Sequence, residues 1–332
     1  MLFDGKNILI TGGTGSLGST LVRRLLSGEK GTPANILILS RDEAKQSDLK
    51  QKLDNKSETK VHFQIGDVRN LASVETAIKG MHIVFNAAAL KQVPSCEYFP
   101  YEAVQTNIIG AENIVRAIEQ QTTRPFPVQT VVGISTDKAC KPVNVMGMTK
   151  AIQERIFLGA AERCPMTNFV CVRYGNVLAS RGSVIPLFKE QIKRGGPVTV
   201  TTNEMTRFLL TLDQAVDTVF AAVEGGQNGE TYIPLIPSAR VMDVAHQLIG
   251  CRDIKIKETG IRPGEKIHEI LVSEEEVSRT IHRGSYYVIK SVLEKQSGYQ
   301  ARMDEFSSKD VVMGYDALED LLWTNGFMES HA

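Results

Sequence analysis

The chain has 332 residues, 38 basic against 38 acidic, a formal net charge of zero and 42% hydrophobic residues. This length accommodates two lobes around a large core, and the charge balance offers no basic footprint for nucleic acid or an anionic membrane, so small molecules are the expected partners. The sequence shows no basic-then-apolar start and no apolar stretch beyond strand length, which predicts a cytosolic protein; five scattered cysteines (Cys96, Cys140, Cys164, Cys171, Cys251) without a C-x-x-C indicate neither a disulfide framework nor a metal site.

Asn7 to Thr11 reads N-I-L-I-T, a buried strand running into G-G-T-G-S-L-G and then the apolar-periodic Leu21 to Leu26. Gly12, Gly15 and Gly18 between a strand and a helix predict a pyrophosphate cradle, because bare backbone admits the phosphates and the helix amino terminus offers free N–H groups. A second strand, Ile36 to Leu39, ends in Ser40-Arg41-Asp42-Glu43-Ala44-Lys45. At this distance past the glycines an acid holds the ribose 2′-hydroxyl of NAD and an arginine suits the 2′-phosphate of NADP. Ser40 and Arg41 stand there, which favours NADP; Asp42, slightly further on, keeps NAD as the alternative.

Val61 to Ile65 is the third strand, with Asp67 and Val68 placed to edge an adenine pocket. The fourth, His82 to Phe85, leads into Ala87, Ala88 and Ala89, whose small side chains let backbone lie against a cofactor. A loop carrying Lys91 precedes a helix expected from Glu102 to Gln120, within which Asn107 is either a locally bonded residue or a bridge between sheet and catalytic loop.

The fifth strand, Val128 to Ile134, delivers Ser135 to Lys150, S-T-D-K-A-C-K-P-V-N-V-M-G-M-T-K, to the carboxyl edge of the sheet, where open α/β sheets keep their ligand crevice. Thr136, Asp137 and Lys138 then share one mouth, and Met146 and Lys150 sit one turn apart on a helix expected from Met146 to Cys164. Cys140 reads as a packed residue rather than a nucleophile. After the strand Phe169 to Arg173 come Tyr174-Gly175-Asn176-Val177, a loop and short helix around Val184, an edge strand Val198 to Val200, and a helix starting at Leu212. Arg207, and Arg262 within G-I-R-P-G-E-K, are candidates for gripping a diphosphate.

The strand–helix alternation predicts an α/β fold: a doubly wound parallel sheet of Rossmann type with a smaller carboxyl-terminal α/β lobe. Residues 1–175 with about 207–235 are assigned to the dinucleotide-binding domain, about 176–206 with 236–290 to the substrate lobe, and 291–332 to an extension. That extension carries the only tryptophan, Trp323, and is expected to pack on the first lobe or between subunits, without chemistry.

The motifs T-G-G-T-G-S-L-G, S-R-D-E-A-K-Q-S, A-A-A-L-K-Q-V-P, T-N-I-I-G, S-T-D-K-A, V-R-Y-G-N-V, T-R-F and G-I-R-P-G-E-K together resemble the extended short-chain dehydrogenase/reductases, and within them the UDP-N-acetylglucosamine 4,6-dehydratases of pseudaminic-acid and capsule polysaccharide biosynthesis. The resemblance runs from about Gly12 to about Ile289. It implies oxidation at C4 by NADP, loss of water across C5 and C6, and return of the hydride to C6. Lys138 would be the C5 base, Asp137 the acid for the departing C6 hydroxyl, and Lys150 the holder of the nicotinamide ribose. The base must be neutral and the acid protonated; burial favours both, Lys150 would depress Lys138 further, and mutual attraction within the pair opposes the assignment.

One departure stands out: the superfamily's Tyr-x-x-x-Lys is Met146-x-x-x-Lys150 here, and a thioether takes no proton. Thr136 is then expected to orient the C4 hydroxyl, with Lys138, Asp137 or a water as proton acceptor. The expected cofactor contacts are Gly12, Thr14, Gly15, Ser16, Leu17, Gly18, Ser40, Arg41, Lys45, Asp67, Val68, Ala87, Ala88, Ala89, Lys91, Asn107, Lys150, Tyr174 and Asn176. The expected substrate contacts are Lys91, Asn176, Val184, Arg207, Arg262 and Glu265. A UDP-N-acetylhexosamine is the expected substrate, a homo-oligomer (dimer or hexamer) the expected assembly, and no metal is expected. Two other readings remain: a UDP-N-acetylhexosamine 4-epimerase, which needs no Asp137-Lys138 pair, and a non-catalytic NADP-binding protein, which has no reason to keep buried ionisable groups.

Overall fold

The computed structural model describes residues 1–53, 58–120, 128–178, 183–293 and 304–328. In chain order its first half comprises β1 (Asn7–Thr11), α1 (Ser16–Leu26), β2 (Asn35–Ser40), α2 (Glu43–Lys52), β3 (Lys60–Ile65), α3 (Leu71–Ile78), β4 (Ile83–Asn86), α4 (Val93–Tyr98), α5 (Pro100–Ala103), α6 (Gly110–Glu119), β5 (Thr130–Ile134), α7 (Val145–Gly159) and β6 (Asn168–Val172). The second half comprises β7 (Asn176–Val177), α8 (Val184–Lys193), β8 (Val198–Val200), β9 (Thr206–Leu210), α9 (Leu212–Gly225), β10 (Thr231–Pro234), β11 (Ser238–Arg240) and α10 (Val241–Ile249). It closes with β12 (Ile256–Glu258), β13 (Ile270–Val272), α11 (Glu274–Val277), β14 (Thr280–Arg283), β15 (Tyr286–Ile289), β16 (Phe306–Ser307) and α12 (Tyr315–Thr324).

The main sheet has the order β14-β15-β10-β6-β5-β4-β1-β2-β3, parallel from β3 to β10, with the hairpin β14–β15 added antiparallel at one edge. Its strands are apolar on both faces because both are covered by helices. In β1, Ile8 and Ile10 face Leu21 and Leu25 of α1 and Val216, Val219 and Phe220 of α9, whereas Leu9 faces the opposite layer with Val74 and Ile78 of α3 and Ile114 and Ile118 of α6. The chain winds outward from β1 to β3 and then, from β4, in the other direction. The switch between β1 and β4 opens a crevice at the carboxyl ends of the strands, and the site lies there.

A second apolar cluster gathers Ile185 and Phe188 of α8, Val198 and Val200 of β8, Val244 and Leu248 of α10, and Leu318 and Leu322 of α12. It underlies the smaller sheet β11-β9-β7 and the pair β12-β8. Two expectations need correction. Thr280–Arg283 and Tyr286–Ile289, read from sequence with the smaller lobe, are strands of the large sheet, because β15 completes the open hydrogen-bonding edge of β10. The extension packs on both lobes: Phe306 joins the larger core and stacks near Phe208 and Tyr287, while α12 seals the smaller one, leaving Trp323 53% exposed. Gly182, the 294–303 stretch and 329–332 lie outside the described residues.

The helix expected from Glu102 to Gln120 is three segments: α5, a π-helical turn Val104–Ile109, and α6. Such wide turns recur at functional sites, and this one contains Thr106 and Asn107, both buried.

Candidate active site

The crevice is a cleft of about 1010 Å³, of ligand-pocket size. One end is the turn after β1. Gly12 has φ +67°, and a Cβ added to it would lie 2.7 Å from Ala88 N, so backbone from β1 and β4 meets there at a distance only glycine permits. Thr11 Oγ1 donates to Asn86 Oδ1 at 2.7 Å and accepts from Ala88 N at 3.2 Å, tying the two strand ends together. The N-cap of α1 is Gly15, without a side-chain cap, so the first N–H groups of the helix face the cleft mouth with the positive end of the helix dipole. Those features fit a pyrophosphate.

Gly12, Thr14, Gly15, Ser16, Leu17 and Gly18 line this end together with Ser40, Arg41, Lys45, Asp67, Val68, Ala87, Ala88 and Ala89. Asp42 caps α2 by accepting from Lys45 N at 3.0 Å and pairs with Lys45 Nζ at 2.5 Å. Its carboxylate therefore serves the helix, while Arg41 stays half exposed, 3.6 Å from Asp67. Arg69 grips the same Asp67 at 2.8 Å, and these guanidiniums hold that carboxyl below its ordinary range although burial opposes them. Asn113 Nδ2 fixes Val68 through its carbonyl at 2.9 Å.

The opposite end is the turn after β5. Thr136 caps the short 3₁₀ turn Asp137–Ala139, and its hydroxyl donates to Asp137 Oδ1 at 2.8 Å. Lys138 Nζ reaches the same oxygen at 3.0 Å, while Asp137 Oδ2 is buried without a hydrogen-bond partner among the described residues. Burial, with Glu269 behind it, pushes Asp137 above the usual carboxylate range against the pull of Lys138. This position provides an acid of raised proton affinity.

Lys138 departs from expectation. Burial alone would pull it down, but Asp137 and Glu269 hold it above the ordinary lysine range, and the opposing cation is Arg207, not Lys150. The resting side chain is an ammonium. Glu269 was not foreseen: its Oε1 lies 3.1 Å from Lys138 Nζ, and nothing in the local sequence around either residue announces a contact between them.

Helix α7 is packed tightly against this turn. A Cβ on Gly147 would lie 2.2 Å from Lys138 O. Asn144 caps the helix through Gly147 N at 2.7 Å, and Glu97 Oε1 accepts from Val145 N at 2.7 Å. Met146 and Lys150 both line the cleft, as their spacing required. Lys150 Nζ donates to Ile134 O at 2.5 Å and Gln153 Oε1 at 2.6 Å, and burial lowers its pKa to about 8. Asn107 does not line the cleft. It takes Leu90 N at 2.9 Å, gives to Leu90 O at 3.0 Å and to Thr149 Oγ1 at 2.9 Å, bridging the loop after β4 to α7.

On the second-lobe side Lys91, Tyr174, Asn176, Arg262 and Glu265 line the cleft. The loop carrying Arg262 is docked on the segment after β5, with Asn144 Nδ2 donating to Gly264 O at 2.7 Å and Lys266 Nζ to Cys140 O at 2.5 Å. Asn176 Oδ1 and Glu265 Oε2 are buried without partners among the described residues, acceptors left for a ligand. Two expected substrate contacts are elsewhere. Arg207 donates to the carbonyls of Thr206, Ile267 and Lys266 at 2.7 to 3.0 Å, so its guanidinium braces backbone instead of facing the cleft. Val184 packs against the smaller core, and its neighbour Ser183, the N-cap of α8 with an unpartnered buried hydroxyl, lines the cleft instead. Burial pushes the Cys140 thiol up to about 12, consistent with a packed residue.

Solved structures share this architecture. The chain superposes on Pen from Bacillus thuringiensis with a TM-score of 0.90 and 35% identity, covering 99% of this chain and 100% of that one. DesIV, a dTDP-glucose 4,6-dehydratase from Streptomyces venezuelae with NAD and TYD bound, shares the fold at a TM-score of 0.68 and 20% identity over 79% of this chain and 86% of its own. By its fold the protein falls with the extended short-chain dehydrogenase/reductases, a group that includes nucleotide-sugar dehydratases and epimerases. More particularly, it belongs to the family described as polysaccharide biosynthesis protein, whose family model matches residues 8–291. A relative called UDP-glucose 4-epimerase in Rickettsia akari (strain Hartford) is 44% identical over 294 residues, 87% of this chain and 84% of that protein. The family and the fold agree with the resemblance seen in the sequence; the relative's name is that of an epimerase, not a dehydratase. Among the described residues no helix is long and apolar enough to cross a membrane.

Proposed function

We propose that the protein is a UDP-N-acetylglucosamine 4,6-dehydratase that produces a UDP-4-keto-6-deoxy-hexosamine. The observation that carries this reading is Asp137: a fully buried carboxyl with raised proton affinity and one free oxygen, beside a lysine, in the wall of a cleft that holds no phenol at the usual base position. A reaction confined to C4 has no use for a second proton donor, whereas expulsion of a C6 hydroxyl requires one.

NADP, when bound, supplies the hydride acceptor for C4 and returns that hydride to C6. Ser40 and Arg41 at the end of β2 support NADP over NAD, since Asp42, which also lines the cleft, spends its carboxylate on capping α2 and pairing with Lys45. Lys150, one turn beyond Met146, holds the nicotinamide ribose. The Thr136 hydroxyl donates a hydrogen bond to Asp137 Oδ1 and so accepts one from the C4 hydroxyl, orienting it, and a water takes the C4 hydroxyl proton. The C4 ketone acidifies C5, Lys138 removes the C5 proton, and Asp137 protonates the leaving hydroxyl. Lys91, Arg262, Asn176, Ser183 and Glu265, which line the cleft, receive the UDP part, the first two by charge.

A second reading, 4-epimerisation, draws on the names of the sequence relatives. Proton NMR of the protein with UDP-N-acetylglucosamine in heavy water separates the two. A C6 methyl signal with deuterium at C5 is expected; a galacto epimer without methyl would establish the epimerase. We also expect at least a dimer, supported by exposed Tyr98, Phe99 and Tyr101 near α5 and Met148 and Ile152 on α7; gel filtration showing only monomer would remove it.

A further inference from the structure

Lys150 and Lys138 share the cleft but not their surroundings. Lys138 has two carboxylates in contact, Asp137 at 3.0 Å and Glu269 at 3.1 Å. Lys150, only 5% exposed, has two uncharged acceptors: its Nζ donates to Ile134 O at 2.5 Å and to Gln153 Oε1 at 2.6 Å. Gln153 is fully buried, and its own Nε2 donates to the same Ile134 O at 3.1 Å, which turns its amide oxygen toward the lysine. The next carboxylate along α7, Glu154, spends one oxygen on Ser135 Oγ and Arg173 Nε and the other on Arg173 Nη2. Glu154 and the Cys171 thiol of β6 are the titratable groups that act on Lys150; both raise its proton affinity, burial outweighs them, and its pKa falls to about 8.

A neutral amine has two N–H donors and one lone pair. Ile134 O and Gln153 Oε1 take the two donors, so a neutral Lys150 leaves no acceptor wanting and keeps its lone pair for the cleft, where Met146, one turn away, takes no proton. Resting on the C4 oxidation of the reading above, we propose that Lys150 is the proton acceptor of that step: the water that takes the C4 hydroxyl proton passes it to Lys150 Nζ. Gln153 is the positioning residue that aims the lone pair. Lys138 is not available for this proton, because Asp137 and Glu269 already hold it as an ammonium. The O–H bond at C4 breaks and its electron pair becomes the second bond of the ketone, while the C4–H pair leaves as hydride to the nicotinamide of the bound dinucleotide. An N–H bond forms at Nζ. The new ammonium hydrogen then donates to the nicotinamide ribose, so the ribose-holding role stays on the same side chain. The product keeps its C4 ketone, so over one turnover the proton released at C4 balances the one that Asp137 gives to the departing C6 hydroxyl.

The test joins a titration to a rate. With oxidised dinucleotide bound, the Cε signals of 13C-lysine are followed by NMR against pH, K150M identifying the Lys150 signal; its midpoint is expected at about 8, against roughly 10.4 for an ordinary lysine. On mixing with UDP-N-acetylglucosamine, the first-turnover rise of reduced-nicotinamide absorbance is expected to speed up roughly tenfold per pH unit below that midpoint and to level off above it. A lysine that only holds the ribose as an ammonium predicts the opposite sign, so a rate that falls as pH rises through the midpoint, or a flat profile, overturns the proposal. Q153E sets a carboxylate against Nζ and is expected to move the NMR midpoint and the kinetic limb upward together, by at least about one pH unit. A limb that stays while the signal moves belongs to another group, such as Lys266, whose pKa burial also lowers, and overturns the assignment. Should Q153E not fold, wild type decides: a limb at the NMR midpoint supports the transfer, and one displaced by more than about a pH unit refutes it. Product NMR showing only an epimer would sink the dehydratase reading and leave Lys150 in this role, because both reactions open with C4 oxidation.

Discussion

The two ends of the cleft are assembled differently. At the β1–β4 end each element contributes a contiguous stretch that follows its own strand: the glycines after β1, Ser40 to Lys45 after β2, Asp67 and Val68 after β3, the alanines after β4. At the other end, Asp137 and Lys138 follow β5, but their electrostatic state depends on Glu269 ahead of β13, which is held in turn by Ser308 beyond β16. The first end is a series of local solutions to one problem, close approach of backbone to phosphate. The second is a network in which no member has its properties alone: burial raises the proton affinity of Asp137 with Glu269 adding to it, and Asp137 and Glu269 hold Lys138 above the ordinary lysine range against its burial. Damage should therefore stay local at one end and spread at the other.

The largest expected effect breaks the network at its centre. Asp137→Asn removes the transferable proton and should lower C6 methyl formation by about 10²- to 10⁴-fold, read by NMR, with cofactor affinity unchanged because no cofactor contact is touched. A comparable loss of cofactor binding would mean that the two ends are not separable.

Next in size is the ion cluster beneath the network. Arg173 pairs with Glu154 at 2.7 Å and Glu276 at 2.8 Å, joining β6 to α11. Burial opposes ionisation of Glu276, but Arg173 overrides it and lowers its pKa to about 2. Its folded value is depressed, so the stabilisation is present in full above the unfolded value and disappears as pH falls toward the folded one. Acid unfolding followed by circular dichroism should lose about 3 kcal/mol between roughly pH 4.5 and pH 2. Glu276→Gln should flatten that segment while lowering stability at neutral pH; an unchanged acid limb would show that the pair is not formed.

The β1–β4 end is tested by Gly12→Ala, where the added carbon meets Ala88 N at 2.7 Å in a backbone conformation that disfavours side chains. A cost of about 1 to 3 kcal/mol corresponds to cofactor binding weakened about 5- to 150-fold, measured by fluorescence titration, with the state of Asp137 and Lys138 untouched. Arg41→Ala is expected to weaken NADP by about tenfold and NAD by little, since the cofactor contact it removes is a charge-assisted hydrogen bond to the 2′-phosphate, which NAD lacks. Equal effects on both would return the preference to NAD. The smallest change is Met146→Leu, a volume-conserving swap at a position that transfers no proton; turnover should stay within about threefold of wild type.

Much of this was legible in advance. The strand–turn–helix glycines, the small residues after β4 and the four-residue spacing of Met146 and Lys150 are short-range patterns, and the cleft gathers them as read. The failures are long-range. Arg207 looked like a diphosphate ligand because an arginine in a turn is indistinguishable from an arginine in a strand whose neighbours' carbonyls need donors; the pairing of β9 with β11 and the loop at Lys266 to Ile267 decided the matter. Asn107, expected as a cofactor contact, sits instead in a π turn, which leaves no compositional signature, and makes the bridge from the loop after β4 to α7. The mislocated hairpin β14–β15 reflects an open sheet edge, which no strand reveals about itself.

Sequence by itself determined the doubly wound sheet, its nucleotide-binding turn and the juxtaposition of threonine, acid and lysine, because these depend on periodicity and on residues within a few positions of one another. Only the tertiary structure decided the protonation of that acid and that lysine. A charge state in a dry site is the sum of burial and every charge within several ångströms, and here one of those charges, Glu269, comes from a distant segment that the fold, and not the chain order, places beside Lys138.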